Sequence, residues 1–272
     1  MKDRGSEVHK WILDLCNRYL LTDGILVNSF LELESEAFNY LRQRGDTDIP
    51  PVYPVGPLIR TGGPETENEQ CLKWLNDQPP KSVLYVSFGS GGTLSVDQFR
   101  ELAHGLEMSG QRFLWVVRTP QENDLPQGFL ERNENKGLVV TSWAPQIQVL
   151  SHGSTGGFVT HCGWNSILES VVFGVPLIAW PLCFEHKMNA VYLTEGLKAA
   201  IRVRENENGV VERGEVSEMI KQLMDGEEGK RIRKRMMEVK MAGADALTKD
   251  GSSSRALGQV VQKWTDNLDI EN

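Results

Sequence analysis

Short, unbroken apolar runs recur through the middle of the chain: VLYVSF (83–88), RFLWVV (112–117), GLVVTSW (137–143), GGFVTH (156–161), VPLIAW (175–180) and AAIRV (199–203). None alternates apolar with polar, so each reads as a strand covered on both faces. Between them lie segments with helical apolar spacing, among them SVDQFRELAHGLEMSG (95–110), 164–173 and 186–194. Strands and helices in alternation, with doubly covered strands, predict an α/β domain with a doubly wound parallel sheet. Residues 213–266 read as mostly helical, and the block GKRIRKRMMEVK (229–240) as a solvated basic helix face.

The first 60 residues have a different pattern. Helical spacing over 7–21 and 31–43 flanks one strand, GILVNSF (24–30). The stretch DTDIPPVYPVGPLIRTGGPETEN (46–68) is rich in Pro and Gly and reads as an interdomain linker. A lone strand before that linker has no sheet to join, so the chain is expected to start partway through a domain. The expected organisation is a domain remnant at 1–45, the linker at 46–68, a ligand-binding domain at 69–250, and a final helix and tail at 251–272.

Composition narrows the function classes. A net charge of −8 and a pI near 5.3 argue against a nucleic-acid partner and require that any anionic ligand be held locally. The four cysteines, Cys16, Cys71, Cys162 and Cys183, form no CxxC pair, which suits a reducing compartment without a disulfide framework. MKDRGSEVHK is no signal peptide, and FGVPLIAWPLCF (173–184) is too short and proline-broken to span a bilayer. A cytoplasmic protein without a membrane partner is expected.

The chemistry concentrates in THCGWNSILES (160–170). GGFVT predicts a strand ending at Thr160 and SILESVVF the helix after it. His161 to Asn165 then form a turn at the carboxyl edge of the sheet, where open α/β folds bind ligands. Gly163 lets a ligand approach the backbone, and the helix start favours an anion. Asn165 and Ser166 can cap the helix and donate to phosphate oxygens, and His161 adds a donor that a proton would make cationic. Glu169, one turn beyond Ser166 on the same face, suits the hydroxyls of a ribose. A Cys–His dyad from Cys162 and His161 is disfavoured because neighbouring side chains diverge at a turn. A zinc site from His152, His161 and Cys162 lacks a fourth ligand. His9, His104 and His152 read as packing or surface residues, Cys71 and Cys183 as inert small apolar side chains, and Trp11, Trp74, Trp115, Trp180 and Trp264 as packing residues.

Residues 143–186, WAPQIQVLSHGSTGGFVTHCGWNSILESVVFGVPLIAWPLCFEH, resemble over their full length the signature box of the plant secondary-product UDP-glycosyltransferases, family 1, of GT-B fold. VNSFLELE, PVYPVGPL, SVLYVSFGSGGTLS and QRFLWVVR resemble that family as well, nearest to the branch that glucosylates hydroquinone and other small phenols. The resemblance spans the whole chain but only the carboxyl-terminal half of a typical member.

The resemblance implies a donor site. Trp143 would stack on uracil, with the Ala144 backbone and Gln146 reading the uracil edge or ribose. Glu169 would hold the ribose hydroxyls. His161, Asn165 and Ser166 would bind the diphosphate, with Trp164 packed beside it and Ser90 adding a contact. Glu185 and His186 would face the sugar. The family transfers sugar with inversion, using a histidine–aspartate pair as base and neither metal nor cofactor. That pair is expected upstream of Met1, in the acceptor-binding half, so no catalytic residue is assigned within this chain. The implied substrates are UDP-glucose, or UDP-galactose because His186 stands where glucose users usually carry Gln, and a small phenolic acceptor. The alternative class is a nucleotide-sugar-binding module without activity of its own.

Overall fold

The computed structural model describes residues 7–43, 49–60, 69–118, 121–141 and 143–270. Two compact units emerge, one from residues 1–58 with 241–272, the other from 59–240. The first division falls inside the segment expected as linker, and the second ten residues before the expected boundary at 250. The remaining linker residues, 46–48 and 61–68, lie outside the described residues.

In the first unit, helix α1 (Glu7–Tyr19) and α2 (Ser35–Gln43) flank strand β1 (Ile25–Val27). That strand is not unpaired. It runs parallel to β2 (Val52–Pro54), with Ile25 opposite Val52 and Val27 opposite Pro54. The proline-rich segment can pair because its prolines serve as acceptors or strand ends: Ile25 N–H donates to the Pro51 carbonyl at 2.9 Å, and Val55 N–H to Val27 at 3.0 Å. Two strands need a covering layer. Helix α11 (Ser252–Ile270) packs on β2, burying Ala256 and Val260. Its Ser252 donates to Glu32 at 2.9 Å and Lys263 to the Asp23 carbonyl at 2.6 Å. Trp11 and Trp264, expected to pack, are exposed.

The second unit holds the expected α/β architecture. Strands β3 (Val83–Ser87), β4 (Arg112–Val117), β5 (Gly137–Thr141), β6 (Thr155–Thr160), β7 (Leu177–Ala179) and β8 (Ala200–Arg202) form one parallel sheet in the order β5-β4-β3-β6-β7-β8. Both central strands, β3 and β6, are buried at every residue, which is why their sequences do not alternate. Helix α3 (Glu69–Asn76) precedes β3. Helix α4 (Val96–Ser109) starts at Ser95, whose hydroxyl accepts from Gln98 N–H at 3.2 Å, and ends at left-handed Gly110. It packs against α9 (Arg213–Met224) so closely that a Cβ on Gly105 would meet Val216 at 2.5 Å. Helices α5 (Phe129–Asn133), α6 (Gln146–Ser151), α7 (Trp164–Phe173) and α8 (His186–Val191) complete the crossovers.

Helix α10 (Glu227–Ala246) bears out the reading of the basic block only in part. Lys230 and Arg231 do sit in solvent, paired with Glu227 and Glu228. Arg233 instead donates to the Leu223 and Met224 carbonyls at 2.8 and 3.1 Å, and Arg235 to Leu197 at 3.0 Å. These guanidinium groups satisfy carbonyls that the preceding helix ends leave open.

Candidate functional site

Strand order locates the site. From β3 the chain winds outward through β4 and β5, then returns to lay β6, β7 and β8 on the other side. The direction reverses between β3 and β6, and the turns leaving their carboxyl ends diverge there, opening a crevice. Those turns are Gly89–Gly92 and His161–Gly163.

The imidazole of His161 sits between the two turns. A Cβ built on Gly89 would lie 2.4 Å from its Cε1, and one on Gly163 would lie 2.4 Å from its Nε2. Only glycine leaves room for the ring at both positions, and Gly89 also has a φ of +69°. His161 Nδ1 is buried with no hydrogen-bond partner among the described residues. Burial, then the neighbouring His186 ring at 4.9 Å, push the His161 pKa down to about 4, against a smaller upward pull from Glu185. The ring is therefore neutral near pH 7, not the cation considered from sequence, and can present one N–H donor.

Helix α7 begins directly above. Its N-cap is Gly163, with no side-chain cap, so Asn165 and Ser166 do not cap it as expected. The first-turn N–H groups have no intrahelical acceptor and carry the positive end of the helix dipole. Cys162 holds this geometry in a left-handed conformation at φ +68°. Such strain in a non-glycine residue costs about 1–3 kcal/mol. It is offset by Asn189, whose amide donates to the Cys162 carbonyl at 2.9 Å, and by the Thr160 hydroxyl, which accepts from Cys162 N–H at 3.3 Å. The thiol itself is buried, with its pKa pushed up to about 12, chiefly by burial, and is no nucleophile.

Ser166 and Glu169 meet at Gln146. The Gln146 amide donates to Glu169 at 2.6 Å and to the Ser166 hydroxyl at 3.0 Å, and its carbonyl accepts from the Tyr85 hydroxyl at 3.4 Å. Burial raises the Glu169 pKa above the usual carboxylate value, with the Gln146 bond opposing. Trp143, at the end of β5, exposes 57% of its surface beside buried Ala144, a flat ring offered at the sheet edge. Trp164 is half-buried and Asn165 exposed at the helix start.

On the β3 side, Ser90 is exposed in its turn, and Arg118, just past β4, donates to the Ser90 carbonyl. After β7, Glu185 and His186 stand 3.8 Å apart, and His186 Nδ1 accepts from Cys183 N–H at 3.4 Å. Phe184 beside them is strained (φ +48°) and exposed. All eleven residues singled out from sequence thus lie at the carboxyl edge of one sheet or within the first two turns of the helices leaving it. Sequence reasoning missed Tyr85, Asn189 and Arg118. Tyr85 carried a signal, a hydroxyl inside an apolar strand that must find a partner; so did Arg118, the first charge after a buried strand.

No group of three or more His, Cys, Asp or Glu among the described residues could hold a metal ion. No described helix is long and apolar enough to cross a membrane. Residues 60–240 match the model of the family described as UDP-glucoronosyl and UDP-glucosyl transferase. A hydroquinone glucosyltransferase from Rauvolfia serpentina is 53% identical, covering 98% of this chain and 60% of that protein. Among solved structures, Phytolacca americana UGT2 complexed with UDP-2fluoro-glucose and pterostilbene superposes with a TM-score of 0.92 at 53% identity, over 97% of this chain and 59% of that one. A Polygonum tinctorium UDP-glucosyltransferase capable of glucosylating indoxyl, complexed with 3,4-dichloroaniline, gives 0.90 at 53% identity, over 97% and 59%. The chain spans about three-fifths of the length of these relatives. It belongs to the UDP-glucoronosyl and UDP-glucosyl transferase family, among the plant secondary-product members.

Proposed function

We propose that this chain binds a UDP-sugar and is the donor-binding part of an inverting glycosyltransferase acting on small phenols. The observation that carries the reading is the His161 nitrogen left unpartnered beneath an uncapped helix start, one turn from Glu169. A diphosphate laid there meets the helix dipole and one imidazole donor. Its ribose hydroxyls meet the Glu169 carboxylate, and its base meets the Trp143 ring. As the glycosidic bond breaks, negative charge grows on the diphosphate, and these same preorganised groups stabilise it. No metal is assigned to this step. The acceptor hydroxyl loses its proton to the histidine–aspartate base that the family resemblance places in the acceptor-binding half. The hydroquinone glucosyltransferase relative supports both glucose and a phenol, while His186 keeps galactose as the other donor.

Calorimetric titration of the 272-residue chain with UDP tests this reading. UDP is expected to bind equally well with and without EDTA. Glu169→Ala is expected to weaken binding by about 1–3 kcal/mol, because it leaves ribose hydroxyls unpaired in a half-buried site. An unchanged affinity in the variant, or binding lost to EDTA, would overturn it.

A further inference from the structure

A cavity of about 470 Å³ opens at the end of β8, walled by Pro181, Lys187, Ile201, Arg202, Val203, Arg204 and Glu205. That volume lies within the range that holds small organic ligands. Three of its walls are cationic and one is a carboxylate. Lys187, Arg202 and Arg204 are exposed, and none forms a salt bridge among the described residues. On a chain of net charge −8, three cations without a salt bridge line one concavity against the single carboxylate of Glu205, so the concavity keeps a net positive charge that attracts an anion. The floor is different in character: Pro181 and Val203 are buried and Ile201 is half-buried. A bare inorganic anion would leave that apolar surface uncovered.

The place in the sheet gives the cavity a meaning. Along the carboxyl edge, the diphosphate turn follows β6, the Glu185–His186 loop follows β7, and this cavity follows β8, the next strand. Pro181 opens the β7 loop and Lys187 directly follows His186, so the loop that would read the sugar also walls the cavity.

We propose that this cavity binds the carboxylate of a small, partly apolar organic molecule next to the sugar end of the nucleotide site. Arg202 and Arg204 supply planar forks that suit a carboxylate, and Lys187 adds a point charge. The apolar floor takes the body of the molecule. A free aromatic acid that also carries the accepting hydroxyl fits both parts, whereas a uronic sugar on the nucleotide, hydroxylated all round, would leave the apolar floor unused. The carboxylate's position beside the sugar rests on the nucleotide-sugar reading; the anion binding does not.

The test titrates the 272-residue chain with 4-hydroxybenzoate, with neutral 4-hydroxybenzyl alcohol, with UDP-glucuronate and UDP-glucose, and with UDP as control. The Arg202→Ala/Arg204→Ala variant is titrated alongside. 4-Hydroxybenzoate is expected to bind tenfold or more tightly than 4-hydroxybenzyl alcohol. That preference should vanish in the double variant, whose UDP affinity stays within about twofold. A preference confined to UDP-glucuronate over UDP-glucose would assign the cations to the donor sugar and overturn the inference. It is also overturned if 4-hydroxybenzoate shows no preference over the neutral alcohol, or if the preference survives in the double variant. Failure of UDP itself to bind would instead sink the nucleotide-sugar reading, while the 4-hydroxybenzoate arm still reads the cavity.

Discussion

His161 and His186 face each other with ring centroids 4.9 Å apart, yet the structure asks different things of them. His161 is held neutral, its pKa pushed down to about 4 from an ordinary value of 6.5. A base whose folded pKa is depressed contributes stability above its unfolded value and loses it as pH falls through the folded one, because the unfolded chain takes up the proton first. The chain is therefore expected to lose stability between about pH 6.5 and 4, and His161→Gln to flatten that loss. Thermal melting at pH 7 and pH 5 checks both; an equal acid loss in the variant would assign the effect elsewhere. For His186, the Cys183 N–H at 3.4 Å from Nδ1 places the proton of the neutral ring on Nε2, 3.8 Å from Glu185, and in the proposed reading that N–H is the donor offered to the sugar. Gln would offer a donor and an acceptor together. In an enzyme that joins this chain to an acceptor-binding half, His186→Gln is expected to shift the ratio of kcat/KM for UDP-glucose over UDP-galactose towards glucose, by roughly fivefold for about 1 kcal/mol. An unmoved ratio would remove His186 from the sugar-reading residues. At this scale, THCGWNSILES made the residue types legible. It did not show the left-handed Cys162 or Asn189, 27 residues on, because a strained turn is specified by its surroundings.

Among the elements, strands were the easiest to read, since a doubly covered parallel strand writes an unbroken apolar run, as VLYVSF and RFLWVV do. Short paired strands in proline-rich sequence were not legible. β2 pairs through carbonyls that its neighbouring prolines keep, and such pairing leaves no hydrophobic signature. Nor does a charge pattern reveal which cations serve as caps. Arg233 closes the α9 carbonyls at Leu223 and Met224, whereas Arg231, two residues earlier, only meets Glu228 in solvent. Hydrogen bonds from a charged donor contribute more than neutral ones, and an exposed i,i+3 pair contributes little. Arg233→Ala is expected to lower unfolding free energy by about 1–3 kcal/mol and Arg231→Ala by under about 0.5 kcal/mol. Neither should change UDP affinity. Urea denaturation of the two variants decides; equal effects would mean that α10 is held by its apolar face at Ile232, Met236 and Val239 without help from the cap.

For the whole molecule, the site is a consequence of winding order. A sheet ordered β5-β4-β3-β6-β7-β8 must open a crevice between β3 and β6, and the residues with phosphate-binding character sit on the two turns that flank it. Sequence made that crevice legible through the order of runs and turns. What it left hidden was the return of residues 241–272 to the amino-terminal strands, because α11 carries only an ordinary amphipathic pattern. Binding a donor and transferring its sugar are separate tasks, however. Of the four histidines in this unit, His104 lies on α4 near Glu101 and Glu107, His152 is held by Ser154 at 2.8 Å and Asn76 at 3.0 Å, and His161 and His186 line the proposed donor side. A general base typically supplies a hundred- to ten-thousandfold in rate, roughly, and orientation of the acceptor supplies more. The chain spans about three-fifths of its relatives, and the family resemblance places both contributions in the remaining part. Purified 272-residue protein is accordingly expected to bind UDP yet give no detectable glucoside from hydroquinone and UDP-glucose. Addition of the acceptor-binding half of a relative should restore transfer. Turnover by the monomeric chain, followed by mass spectrometry of the product, would show that a base resides within these residues, and the Glu185–His186 pair at 3.8 Å would be the place to look for it.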